Sequence, residues 1–139
     1  MSFKRIKGSD RGMIRRTISS LALAVGDLVV YNRTSYKVEA AQASSEIDNL
    51  AGVCIEATTT ADTSVLLERI MPGDVYRVGT VNAADATHNY QRMIWGAAQT
   101  VNNTGTDVPG DTGLFMQTGV KGATTDKKII GEFTMTAGD

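Results

Sequence analysis

The chain has little of what small catalytic or cross-linked domains rely on: among 139 residues there is one cysteine, one histidine and two prolines. A lone Cys54 excludes an internal disulfide, which needs two thiols. With His88 the one histidine, too few nitrogen and sulfur ligands remain for a metal centre unless carboxylates supply nearly all of them. Aromatic residues make up 6% of the chain, which is thin for a surface that stacks successive bases. No apolar run approaches the ~20 residues of a membrane-spanning helix. Gly119 and Gly122 are unaccompanied and precede no helical stretch, so no phosphate-binding glycine loop is present.

What is present points to β structure. Fourteen glycines and many threonines accompany 42% hydrophobic residues, a composition that suits one all-β domain with many turns. A chain of this length buries roughly two-thirds of its unfolded surface and needs no staple. Short apolar stretches of β-forming residues predict strands over Ile14 to Ile18, Leu21 to Val25, Leu28 to Asn32, Tyr36 to Glu39 and Ala51 to Thr58. Further strands are predicted over Ser64 to Ile70, Val75 to Val81, Gln91 to Trp95, Gly113 to Thr118 and Lys128 to Met135. Ala40 to Leu50 and Ala83 to Asn89 are the places for a short helix or compact loop. Both prolines stand in Pro-Gly-Asp, at Pro72-Gly73-Asp74 and Pro109-Gly110-Asp111, where Pro sets φ and Gly supplies the positive φ of a sharp turn. Gly26-Asp27 marks a third turn. Gly52 to Glu56 with Val65 to Glu68, and Gly113 to Gln117 with Ile129 to Glu132, each have the look of a hairpin around a polar loop. The expected architecture is a small β-barrel or sandwich with at most one or two short helices.

Charge is spread unevenly. Lys4, Arg5, Lys7, Arg11, Arg15 and Arg16 face one acid, Asp10, in the first sixteen positions, whereas from position 20 onward eight basic residues face fourteen acidic ones. A formal net charge of −1 therefore hides a basic N-terminal arm on an acidic body, and such an arm is suited to dock on something negative. Phe3, Ile6, Met13, Ile14 and Ile18 lie among the charges, and apolar anchors beside charges suit a segment laid along a protein surface. The expected division is an arm over 1–20 and a β domain over 21–139.

The rival readings are weaker. Cys54 and His88 could form a nucleophile pair, but Cys54 sits in an apolar run where cysteine behaves as a small hydrophobe. Carboxylates are scattered singly, so acid–base chemistry has no obvious pair, and an enzyme is not expected. The arm could neutralise phosphates, yet only Tyr76-Arg77 and Tyr90-Gln91-Arg92 interleave aromatic and basic residues, and the isoelectric point near 5.8 is low for a nucleic-acid binder. Ala22-x-Ala24 imitates a signal-peptidase site, but the apolar stretch before it is too short. Two glycosylation-type tripeptides, at Asn32 and Asn102, carry little weight in a threonine-rich chain.

The order of the body has a further property. Ala24-Val25-Gly26-Asp27-Leu28-Val29-Val30-Tyr31 enters a strand, an irregular link follows, and then come Asn49 to Ala57, a polar Thr loop, Val65 to Ile70 and Pro72-Gly73-Asp74-Val75-Tyr76. This succession over positions 20 to 82 resembles the capsid decoration, or head cement, proteins of tailed bacteriophages; residues 87–139 match no motif of that family. The resemblance implies a non-enzymatic virion structural protein made in the host cytoplasm. It would bind the outer surface of a capsid through the major capsid protein and bridge capsomers as a homo-oligomer, a trimer by preference. No cofactor, metal or membrane is implied, and nucleic acid is not an expected partner. The arm residues expected to touch capsid or neighbouring subunit are Phe3, Lys4, Arg5, Ile6, Lys7, Arg11, Ile14, Arg15 and Arg16. Met93, Ile94 and Trp95 are a candidate oligomer contact as well as candidate core. The alternatives are a tail or head–tail β module, or a nucleic-acid-binding β-barrel that uses the same arm.

Overall fold

A computed structural model of the chain describes residues 3–7, 12–42, 49–71, 73–96, 99–103, 113 and 115–134. The protein is all-β, built on two antiparallel sheets. The strands are β1 (Lys4–Lys7), β2 (Met13–Thr17), β3 (Leu28–Asn32), β4 (Lys37–Ala40), β5 (Leu50–Cys54) and β6 (Ser64–Glu68). They continue with β7 (Val75–Gly79), β8 (Arg92–Trp95), β9 (Val101–Asn102), β10 (Phe115–Val120) and β11 (Lys128–Phe133). One sheet has six strands in the order β1-β7-β11-β10-β8-β9; the other has five, in the order β2-β6-β5-β3-β4.

Side-chain alternation sets the two faces of the larger sheet. Along β11, Ile129, Gly131 and Phe133 are buried while Lys128, Ile130 and Glu132 are half-buried, the period of two that a one-sided strand requires. The inward residues Tyr76, Val78, Met93, Phe115, Ile129 and Phe133 meet Leu28, Val30 and Val53 of the smaller sheet in one core. A second core fills the other side of the smaller sheet with Ile18, Leu23, Val29, Val38, Ala51, Cys54, Val65 and Leu67. β3 gives Leu28 and Val30 to one core and Val29 to the other, which is why its apolar residues run without a break. Both hairpin-like blocks are paired: β5 with β6 through Val53↔Glu68 and Cys54↔Leu67, and β10 with β11 through five residue pairs.

Several expectations need correction. Leu21 to Val25 is not a strand: it is held by Thr58, whose Oγ1 accepts from Leu23 N–H at 2.9 Å and donates to the Leu21 carbonyl at 2.6 Å, while Leu23 plugs the second core. β1 was not anticipated, because Lys-Arg-Ile-Lys reads as a solvated run, and two-residue β9 is too short to show a period. Of the place expected for a helix over Ala40 to Leu50, residues 43–48 lie outside the described residues; Ala40 ends β4 and Leu50 begins β5. Ala83 to Asn89 holds a 3-10 turn over Ala86–His88, where Asp85 accepts from Thr87 N–H. The Pro109 turn and Pro72 fall outside the described residues.

Residues of the expected arm over 1–20 take part in both sheets. The N-terminal segment supplies a strand to each sheet and a side chain to each core, so it straps the two sheets together and is no appendage to them.

Candidate protein-docking interface

The strap begins at Phe3. Its backbone N–H donates to the Gly26 carbonyl at 2.8 Å, and Gly26 N–H donates to the Cys54 carbonyl at 2.7 Å, which ties the segment to the smaller sheet. The φ of +92° at Gly26 suits the sharp turn read from the sequence. Its ring, 3% exposed, packs on Phe115, Phe133 and Tyr76 with centroids 5.7, 5.0 and 6.1 Å away. Phe3 is thus buried in its own chain's core, against the expectation of an anchor on a neighbour. The reason is that the three rings of the larger sheet leave a site whose fourth wall is Phe3.

From Phe3 the chain enters β1, antiparallel to β7, with Lys4 opposite Arg77, Arg5 opposite Tyr76 and Lys7 opposite Val75. Arg5, Ile6 and Lys7 are placed by backbone alone, and Arg11 lies outside the described residues. β2 then pairs with β6, Met13 opposite Glu68 through Thr17 opposite Ser64. Ile14 packs against the second core. Arg15 is exposed and donates to Ser64 Oγ at 3.2 Å. Arg16 donates from Nε to the Tyr31 hydroxyl at 3.0 Å, with its guanidinium 5.9 Å from that ring's centroid.

β1 and β2 are the first strands of their respective sheets. The basic residues of the segment therefore line two sheet edges. Lys4 also opens a wider surface. Cross-strand register puts Arg77 beside Lys4, Ile130 beside Arg77, and Met116 between Glu132 and Arg92. With Lys128 and Ile94 two residues from Ile130 and Arg92 on their own strands, these side chains share the face turned away from the core. None belongs to either core cluster. Among the described residues, four cations, Lys4, Arg77, Arg92 and Lys128, share that face with one carboxylate, Glu132. Like charges directly opposite on neighbouring strands cost about 0.2–1 kcal/mol, so the Lys4–Arg77 pair favours an anionic surface against it.

Sequence reasoning weighed Arg77 and Arg92 only as basic neighbours of Tyr76 and Tyr90 and did not single out Lys128, because it followed basic residues along the chain and not across strands. The period-two pattern of β7, β8 and β11 was the signal that could have found them. Of the other candidates, Met93 is fully buried in the first core: its register opposite Phe115 turns it inward, so it is no surface contact. Ile94 is 39% exposed on the outer face; the Trp95 side chain lies outside the described residues.

Cys54 and His88 sit on different sheets' structure. The Cys54 thiol is buried in the second core and donates to the Glu56 carbonyl at 3.2 Å. Burial pushes its pKa up; the hydrogen bond to Glu56 opposes this and the Asp27 and Glu56 charges add to it. His88 belongs to the 3-10 turn whose loop is bonded to β10: Tyr90 N–H donates to the Gln117 carbonyl, and Gln117 Nε2 to Asp85 O and Asn89 Oδ1. Among the described residues no three of His, Cys, Asp and Glu are grouped to hold a metal ion, and no helix is long and apolar enough to cross a membrane.

Fold and surface together define a two-sheet β domain with one basic outer face. Compared with protein-family models and with curated proteins, the chain matches none.

Proposed function

We propose that this protein is a non-enzymatic structural component that docks on an acidic protein surface, and that the surface is the exterior of a phage capsid, whose capsomers it bridges as a homo-oligomer. The observation that carries the reading is the mainly cationic outer face of the larger sheet, with Lys4 set opposite Arg77 and half-buried Ile130 and Met116 between the cations. A face that mixes apolar side chains with unshared positive charge suits a protein partner of opposite potential. Arg15, on the edge of the smaller sheet, extends the positive surface to a second edge. Rigidity from two packed cores and affinity from weak contacts repeated by symmetry fit a protein that stabilises a lattice.

The strap changes how the reading is tested. Deleting residues 1–16 would remove Phe3, β1 and most of β2, and so would disturb the fold along with the surface. Charge reversal leaves the backbone in place. The triple variant K4E/R77E/R92E should keep the wild-type circular dichroism and unfolding midpoint. It should lose the binding to purified expanded phage capsids that the wild type shows. Wild-type binding should weaken as salt rises. Equal decoration by the folded triple variant would refute this docking face, and failure of the wild type to bind capsids at any salt would refute the function.

A further inference from the structure

The tip of the β3–β4 hairpin carries a feature that neither the fold nor the capsid reading accounts for. Tyr36 is 89% exposed and sits at φ +60°, a left-handed backbone that glycine or asparagine adopts at far lower cost. The turn uses the left-handed backbone at this position but not the tyrosine ring. Tyr36 N–H closes the turn on the Asn32 carbonyl at 3.0 Å, and Asn32 Oδ1 accepts from Thr34 and Ser35 N–H at 2.9 and 3.1 Å. A large ring is thus held in solvent, in a disfavoured conformation, with no packing gain. Strain of that kind gathers at binding sites.

The ring borders a cleft of about 520 Å3 lined, among the described residues, by Tyr31, Asn32, Arg33, Tyr36 and Lys37. Tyr31 already carries the Arg16 guanidinium on its ring and hydroxyl, so Tyr36 supplies the open stacking surface. Arg33 is steadied by its Nε bond to Asn49 Oδ1 at 3.1 Å, and Lys37 supplies a second positive charge.

We infer that this cleft binds a nucleotide unit, its base stacked on Tyr36 and its phosphate held by Lys37 and Arg33. An acidic sugar would need polar groups to read its hydroxyls, but the one amide among the described lining residues is committed: Asn32 Oδ1 to the turn, and its Nδ2 to Glu39 Oε2 at 3.3 Å. Stacking plus charge is blind to base identity and needs one ring per base, so the scarcity of aromatics elsewhere does not oppose it. The inference stands independently of capsid binding.

The test uses the full chain, with a fluorescent oligothymidylate followed by anisotropy and unlabelled AMP and inorganic phosphate as competitors. The oligonucleotide should bind with steep salt dependence, AMP should compete, and phosphate should compete at least tenfold more weakly. AMP nearly as tight as the oligonucleotide identifies free nucleotide as the source, and a much tighter oligonucleotide identifies single strands; either ratio supports the site. Y36F should retain binding, while Y36A should lose about tenfold, the worth of one stacked base. Y36G should lose binding equally yet raise the thermal midpoint by relieving the left-handed tyrosine, a combination that a merely structural tyrosine cannot give. Y36A and Y36G binding as tightly as wild type would overturn the inference. So would nucleotide competing no better than phosphate, or displacement by an acidic oligosaccharide alone.

Discussion

Replacing Phe3 with alanine separates a strap from a tail. A residue on a solvated arm changes stability by about 0.5 kcal/mol or less. Phe3, in contrast, is 3% exposed and touches three aromatic rings at centroid distances of 5.0 to 6.1 Å. Removing a buried phenylalanine side chain costs about 3–5 kcal/mol through lost transfer energy and the cavity left behind. The hydrogen bond from Phe3 N–H to Gly26 is made by backbone and survives the substitution, so the measured loss belongs to the ring. F3A should therefore lower the unfolding free energy by about 3 kcal/mol or more, and the thermal midpoint by roughly 10 °C. Urea titration followed by far-ultraviolet circular dichroism reads it directly. F3L, which keeps most of the volume, should cost markedly less. A double-mutant cycle with F133L should show coupling of about 0.5–1.5 kcal/mol from the ring pair. An F3A unfolding free energy within about 0.5 kcal/mol of wild type would refute the strap and restore a free arm.

Two further outcomes check the cores. G131A should destabilise by about 1–3 kcal/mol, because a Cβ there would meet the Met116 carbonyl and lie 2.6 Å from Phe115 Cε2, forcing β10 from β11; the same urea titration measures it. Cys54 should resist a disulfide reagent in the folded protein at mildly alkaline pH and react fully once unfolded. The sign follows from its raised pKa, caused first by burial. The folded state holds the thiol proton more tightly, so this contribution to stability is complete below the ordinary thiol range and is lost as pH rises from there through the raised folded value. Modification of native Cys54 at the rate of a free thiol would show that the second core does not close over it.

The sequence made the central strands legible because their residues are selected by burial alone. Leu28 to Asn32 is predicted and found with the same ends, and β6, β7 and β11 begin where expected. What escaped was structure whose cause is not local. Lys-Arg-Ile-Lys pairs because Phe3, one residue earlier, is pulled into a site formed by Tyr76, Phe115 and Phe133, more than seventy positions away. Leu21 to Val25 has strand composition, yet Thr58 takes its hydrogen bonds, so no neighbouring strand forms. Met93 and Ile94 cannot be assigned to core or surface until Met93 is in register with Phe115. The cationic face was hidden for the same reason: its members are scattered over four strands and gather only across hydrogen-bonded neighbours.

Basic residues on sheet edges have an explanation that needs no partner. Edge strands expose unpaired backbone groups, and lysine or arginine there discourages edge-to-edge aggregation. Lys4 on β1 and Arg15 on β2 fit that account as well as they fit docking. Arg77 and Lys128 do not, since β7 and β11 lie inside the six-stranded order and have both edges paired. Protection of an edge cannot require a cation on an interior strand, and repulsion between Lys4 and Arg77 would be avoided at no cost to the core by a neutral residue at either position. The interior cations are therefore the ones whose reversal discriminates. If R77E alone weakens capsid binding while K4E alone does not, the face is an interface and the edge charge is protective. If K4E promotes aggregation and R77E changes nothing but restores the favourable Lys4 pairing, the cationic face has no partner and the docking proposal falls.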